Sequence, residues 1–469
     1  MIKIIGIDGL DKSIIERHIN ELPNFKKISQ CGLLNHIESV FPADSVPAWT
    51  TIFTGLNPAE HGIIRGKDYI ESIEDFGASH GFVLVGKTFW DHLSERGLKC
   101  LVINPFLAYP AWEINGIMES GPAFIEGKPS IFPAGTASLH PEILGGYSAI
   151  SNLTGLKSEM EKVFDDTEKL WKEYAYQSAK EDYDLEFVTF TTLDRLQHYT
   201  WRYYDEEDPL HEHNNYLSDC IPQLLRAFDR KLGNLIDKMR NDDILVIVSD
   251  HGFRQRPYKV INLNEFLRKK ELLIVREEYN NPSVRIIQRL KKIFISSFSH
   301  LGLLDLIASR LKNVKSVSKL KKSDHLIDKV HSVCFTDHLF SGKKPYVGLN
   351  FGDKIRLSDR QTREKAFIKI KSAITSGEIP LPVWIKEARE LYTGEFQSKL
   401  PDICIEFTPE YGVEFNYFSE IIEKSSTHHR ISGGHFGSGI FGYYSPSVQC
   451  VNPPSHIIDF YEFIKSIAV

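Results

Sequence analysis

The chain has 469 residues, 42% of them hydrophobic and 25% charged, with a formal net charge of -6. That is a folded globular composition, long enough for one large α/β domain with an insertion or for two to three smaller domains. The acidic balance argues against a dedicated nucleic-acid binder, which needs a basic surface, and no stretch reaches the roughly 18 apolar residues of a membrane-spanning helix.

In chain order, residues 2–8 read as a short buried strand, and the early charge at Asp8 makes this start unlike a signal peptide. Residues 11–31 read as a charged helix broken near Pro23. Residues 49–55 read as the first turns of a helix that starts just after Pro47. Strands are expected at 82–86, 99–104, 186–191 and 243–249, and helices at 159–182 and 216–240. Strands alternating with helices imply an α/β fold: a mostly parallel central sheet flanked by helices. Between about 256 and 344 the texture changes. Residues 281–322 hold ten Lys or Arg against one acid, Asp305, with apolar residues at helical spacing. This reads as an inserted, basic, largely helical cap, leaving 1–255 and 345–469 as the main domain. Its basic face is read as solvated, with recruitment of an anionic substrate or contact with anionic lipid as the sharper alternatives. The six cysteines are scattered without a CxxC pair, as expected of reduced thiols in a cytoplasmic protein.

Asp8, Asp194 and Asp250 each come at or just after the end of an apolar strand, where an open α/β sheet forms its ligand crevice. Asp194 and His198 are spaced i, i+4, so on a helix they face one side and can grip one metal; a simple helix-surface contact is the plainer reading. Asp250-His251 precedes Gly252, and a tight turn there would aim both into one crevice. His435 follows two glycines in an expected loop. Ser45 precedes a helix start, where it either caps the helix or offers its hydroxyl as a nucleophile beside an anion-favouring N-terminus. Trp49 reads either as core or as a stacking surface, and Lys87 as an exposed lysine or a phosphate contact. Together these side chains can hold two divalent metals and a nucleophile.

The pattern resembles the alkaline phosphatase superfamily, and within it the type I phosphodiesterase/nucleotide pyrophosphatase branch. Residues 41–63, from Phe41-Pro42-Ala43-Asp44-Ser45 to Thr54-Gly55-Leu56-Asn57-Pro58-Ala59-Glu60-His61-Gly62-Ile63, are similar to that family's nucleophile segment. Asp8, Asp194, His198, Asp250, His251 and His435 fall in the family's order. The resemblance implies an alkaline-phosphatase-like fold and two cation sites, one from Asp194, His198 and His435, the other from Asp8, Asp250, His251 and Ser45. It implies Zn2+, with Mn2+ as the other candidate, and Ser45 attacking phosphorus to give a phosphoseryl enzyme. Val46, Trp49 and Lys87 are the candidate substrate contacts. One departure stands out: the family's phosphoryl-binding Asn, three residues after the nucleophile, is Ala48 here. The expected substrate is a small phosphodiester or nucleotide pyrophosphate. A phosphomonoesterase or phosphotransferase of the same superfamily, and a degenerate binding module using the basic cap, are the alternatives.

Overall fold

The computed structural model describes residues 1–76, 84–145, 155–277, 326–337 and 343–468. Its centre is an eight-stranded sheet. In chain order the strands are β1 (Ile2–Ile7), β2 (Leu33–Glu38), β3 (Cys100–Ile103), β4 (Gly116–Ser120), β5 (Ser130–Phe132), β6 (Leu185–Phe190), β7 (Ile244–Val248) and, further along, Ser438–Tyr444. Their spatial order is β2, Ser438–Tyr444, β7, β1, β6, β3, β4, β5. β7, β1, β6, β3 and β4 run parallel, while Ser438–Tyr444 and β5 are antiparallel to their neighbours. The parallel strands are almost wholly buried, which explains why they read as continuous apolar runs instead of alternating ones.

Helices cover both faces. On one side lie α1 (Pro23–Cys31), α4 (Leu156–Ser178), α5 (Thr192–Tyr204) and α6 (Cys220–Ile236). Trp171 of α4 packs its ring 4.5 Å from Phe190 and 6.2 Å from Phe228, contacts worth about 0.5–1.5 kcal/mol each beyond simple burial. On the other side lie α2 (Ser45–Thr54), α3 (Phe89–Glu95) and α8 (Phe460–Ile467). A third core lies around a four-stranded antiparallel sheet. Its strands are Cys334–Asp337, β11 (Tyr346–Phe351), Pro382–Glu387 and Ile403–Phe407, with α7 (Arg360–Ile374) packed on it. To keep chain order, β8 (Gly252–Gln255), β9 (Lys259–Asn262), β10 (Cys334–Asp337), β12 (Pro382–Glu387), β13 (Ile403–Phe407), β14 (Tyr411–Glu414), β15 (Ile422–Lys424), β16 (Gly433–Phe436) and β17 (Ser438–Tyr444) complete the strands.

Several sequence expectations change. Strands pair across the positions 255 and 345 where a division was expected: β10 with β11, and β9 with β14 and β15. The described parts of 256–344 are strands and one helix, Leu263–Lys269. The basic run 281–322 lies outside the described residues. The strand expected at 82–86 is not formed over its described part, where Leu84–Lys87 make a turn leading into α3. No helix among the described residues is long and apolar enough to cross a membrane.

Candidate metal centre and nucleophile

Three adjacent parallel strands bring the acids together. In register, Ile7 of β1 lies beside Phe190 of β6, and Gly6 beside Val248 of β7. Neighbouring strands are about 4.8 Å apart, so their carboxyl ends open onto one crevice. Asp8 continues β1 there, with its N–H donating to the Phe190 carbonyl at 2.9 Å. Asp250 follows β7 and its Oδ1 accepts from the Gly9 N–H at 3.3 Å. β6 runs directly into α5, which carries Asp194 and His198 on one face as their i, i+4 spacing requires.

His435 is in a strand, not the expected glycine loop. β16 pairs antiparallel with β8, setting His435 opposite Phe253. Gly433, two residues before it, permits this: a Cβ there would stand 2.4 Å from the Gln197 carbonyl oxygen and from the Phe253 ring.

Ser45 opens α2 instead of preceding it. Asp44 is the N-cap, its Oδ1 accepting from the Val46 N–H at 3.4 Å, and Pro47 sits inside the first turn. Proline is tolerated there because that N–H has no intrahelical partner. The Ser45 hydroxyl lies 3.3 Å from Asp8 Oδ1 and 3.1 Å from His251 Nε2. His251 Nε2 is in turn 3.3 Å from Asp250 Oδ2 and 3.6 Å from Asp8 Oδ1.

Asp194, His198 and His435 form a second knot. Asp194 Oδ1 lies 3.4 Å from His198 Nε2 and 3.2 Å from His435 Nε2, and the two imidazole nitrogens are 3.0 Å apart. The knots touch: the His251 and His435 rings stack at 4.0 Å, and Asp194 is within 4.8 Å of both Asp8 and His251 ligand atoms. All seven residues singled out as ligands or nucleophile therefore meet, with Asp194 belonging to both groups.

The donor set fits divalent cations. Each histidine turns Nδ1 to a backbone carbonyl: His198 to Gly433 at 3.0 Å, His251 to Gly252 at 3.0 Å, His435 to Ala43 at 3.2 Å. A carbonyl only accepts, so Nδ1 carries the proton and Nε2 presents a lone pair inward. Two such lone pairs at 3.0 Å become favourable only across a shared proton or cation. Burial pushes the His198 imidazole down to about 4 and His251 well below its ordinary value, so neither is protonated at neutral pH. Burial also pushes the Asp8 and Asp250 carboxyls well up, and the neighbouring carboxylates add to it. Both Asp194 oxygens and Asp250 Oδ2 are buried with no hydrogen-bond donor among the described residues. A nest of acceptors without donors is costly by itself and is what cations resolve.

None of the three expected substrate contacts lines the cavity beside the cluster. Trp49 is fully buried against Phe53, and its indole N–H donates to Asp8 Oδ2 at 3.0 Å, so it orients a ligand instead of stacking on a base. Gly6 admits it, since a Cβ there would meet the indole at 2.7 Å. Val46 buries its side chain in the same core. Lys87 is exposed in the turn before α3 and is not among the residues lining the cavity beside the cluster.

That cavity, of about 320 Å3, contains basic residues the sequence reading missed. Lys344 forms an ion pair with Asp44. Burial pushes the Asp44 carboxyl up, but the Lys344 ammonium, helped by His435, outweighs it and holds the group well below the usual carboxylate range. Arg254 lies over the Phe436 ring at 3.4 Å, and Arg256 also lines the cavity. A signal for the arginines was present: Arg254 and Arg256 follow Asp250-His251 closely, with the i, i+2 spacing of one strand face.

The sequence profile of the type I phosphodiesterase/nucleotide pyrophosphatase family matches residues 3–417. The chain belongs to this family. Among curated relatives of this phosphodiesterase-family chain, ectonucleotide pyrophosphatase/phosphodiesterase family member 1 of Mus musculus is 22% identical over 271 residues, 56% of this chain and 25% of the relative. Member 3 of Rattus norvegicus is 33% identical over 67 residues, 14% of this chain and 8% of that protein. The chain thus spans a quarter or less of the length of these relatives. Among solved structures, phosphonoacetate hydrolase from Sinorhizobium meliloti 1021 in complex with phosphonoacetate superimposes with a TM-score of 0.53 at 14% identity, covering 100% of this chain and 95% of that one. The same enzyme with phosphonoformate gives 0.51. These structures share the fold, so the alkaline-phosphatase-like architecture expected from the sequence is the observed one.

Proposed function

We propose that this family member is a two-metal phosphohydrolase that cleaves a phosphodiester or nucleotide pyrophosphate bond through a phosphoseryl intermediate on Ser45. The observation that carries the reading is the Ser45 hydroxyl set between Asp8 Oδ1 and His251 Nε2, at a helix start and within a nest of lone pairs. Asp194, His198 and His435 would hold one cation. Asp8, Asp250, His251 and Ser45 would hold the other, with Asp194 in reach of both. Bound Zn2+, or Mn2+, would supply positive charge against the oxygens of the phosphoryl group and favour loss of the serine proton.

The residues of the chain do the rest. Ser45 Oγ gives up its proton along its hydrogen bond to Asp8 and bonds to phosphorus. The bond from phosphorus to the leaving oxygen breaks, and that oxygen departs with the electron pair. Water then attacks the phosphoserine, the Oγ–phosphorus bond breaks, and Ser45 regains a proton. The N-terminus of α2 favours the anionic phosphoryl group beside Ser45. Trp49 keeps Asp8 in place. The complete set of ligands with its hydroxyl argues against a degenerate binding module.

The test is hydrolysis of bis-p-nitrophenyl phosphate, a monoester and a nucleotide pyrophosphate by protein loaded with Zn2+ or Mn2+. Ser45→Ala is expected to lower turnover by about 10^4-fold or more while metal content stays at about two ions per chain. Wild-type rates in that variant would remove the covalent mechanism.

A further inference from the structure

We infer that Glu119, Glu173, Gln177 and the Ala137 carbonyl form a buried, all-oxygen site for a structural Ca2+ ion, separate from the two cation groups around Ser45. The inference does not depend on the phosphohydrolase reading.

Three observations carry it. The first is convergence. Glu119 lies on β4, sharing with Ile117 the face that α4 covers, while Glu173 and Gln177 are one turn apart on α4. Gln177 Nε2 donates towards Glu119 Oε1 at 2.5 Å, Glu173 Oε1 at 2.9 Å and the Ala137 carbonyl at 2.9 Å. Oxygens from β4, from α4 and from the chain after β5 thus surround one atom. The second is burial without donors. Glu119, Glu173 and Gln177 are each 0% exposed. The two amide hydrogens of Gln177 cannot serve three acceptors. Glu119 Oε2, Gln177 Oε1 and Ser138 Oγ, the last beside the Ala137 carbonyl in the chain, are buried with no hydrogen-bond partner among the described residues. Half a turn of the Gln177 amide about its last carbon–carbon bond would swing its unpartnered oxygen towards the same three neighbours. The third is charge. Glu173 Oε2 accepts from the Leu139 and His140 N–H groups at 2.7 and 2.5 Å, which pins that carboxylate and leaves Oε1 for the site. Lys180 acts on Glu119 from an exposed position, where its ammonium donates to the Ala137 carbonyl at 2.7 Å. Two buried carboxylates against one exposed ammonium leave a negative excess that a proton or a cation must settle. A proton on Glu119 would leave the Gln177 and Ser138 oxygens unserved, whereas a cation takes them as ligands. The set holds no nitrogen or sulfur donor, which suits a hard cation. Irregular carboxylate, amide and backbone oxygens in a dry site suit Ca2+, since Mg2+ demands an octahedron and keeps its waters. The ion would tie β4 to α4, and α4 braces the helix of the ligand cluster: Thr167 Oγ1 donates to Thr192 Oγ1 at 2.7 Å, and Arg195 pairs with Asp166 at 2.7 Å, on either side of Asp194.

The experiment titrates the Zn2+-loaded full chain with CaCl2 by calorimetry and follows its melting temperature. Wild type is expected to take up about one Ca2+ per chain, at least about tenfold more tightly than Mg2+, and to melt higher with it. Glu119→Gln keeps the shape and removes the charge. It is expected to weaken Ca2+ binding at least about tenfold and to lose the calcium-dependent rise. Without Ca2+ it should melt no lower than wild type, because a neutral amide costs less to bury than a carboxylate. Gln177→Glu is expected to do the opposite, binding Ca2+ more tightly and melting lower than wild type without it. No Ca2+ uptake by wild type, or uptake that Glu119→Gln leaves unchanged, would overturn the site. A tighter hold on Mg2+ would overturn its assignment to calcium. Should a variant not fold, the wild-type titration decides alone. Calcium bound by a chain that hydrolyses no phosphate ester would leave this site standing and remove only the hydrolase reading.

Discussion

At His198, His251 and His435 one arrangement recurs: Nδ1 faces a carbonyl and Nε2 faces the carboxylates. This shared tautomer turns three lone pairs towards the carboxylates, and Asp194 is the hinge of the arrangement because it belongs to both candidate cation groups. Asp194→Asn is therefore expected to release both ions and Asp250→Asn mainly one, read by metal analysis after dialysis. Equal losses would show that the two groups are not joined through Asp194. Trp49 acts one step back. Trp49→Phe removes the donor to Asp8 and leaves a small void beside Gly6. It should weaken metal affinity about tenfold and stability by about 1–3 kcal/mol, measured by competitive chelation and by denaturant unfolding. Unchanged affinity would mean that Asp8 needs no such support.

At the scale of elements, α2 and the short helix Pro58–His61 form one elbow behind the nucleophile. The His61 ring accepts from the Ile63 N–H at 3.0 Å and contacts Thr51 Oγ1 at 3.1 Å. Burial, with Lys399 adding to it, pushes His61 down to about 3 from 6.5. Its folded value lies below its unfolded value, so the stability it contributes is intact above about pH 6.5 and is lost as pH falls towards 3. His61→Asn should lose less stability than wild type across that window, read from unfolding midpoints at stepped pH. Parallel curves would assign the acid sensitivity elsewhere. The strand ends that lead to Asp8, Asp194 and Asp250 were legible because buried parallel strands are continuous apolar runs and their register is simple. The start of α2 was misread because Pro47 looks like a first helical residue, whereas Asp44 does the capping. The run at 82–86 is apolar like a strand, yet its described residues turn into α3. His435 looked like a loop residue because its glycines serve close packing, not bending. Lys344 was invisible because it meets Asp44 across 300 positions of chain.

Across the whole molecule, the two sheets meet at the nucleophile segment. The chain entering β11 reaches back to it, Lys344 pairing with Asp44 and the Tyr346 hydroxyl donating to the Ala43 carbonyl at 3.1 Å. That same carbonyl receives His435 Nδ1. The second sheet therefore helps set both the serine and His435, a candidate metal ligand. Since cations would bind only the folded cluster, saturating metal at 100 times its dissociation constant should add about 2.7 kcal/mol of stability, and a chelator should remove it. The most direct measurement is anomalous diffraction at the zinc edge from crystals grown with Zn2+. Two peaks are expected, one bonded to Asp194, His198 and His435, the other to Asp8, Asp250, His251 and the Ser45 hydroxyl. No peak at these side chains, or zinc bound only elsewhere on the protein, would contradict the account.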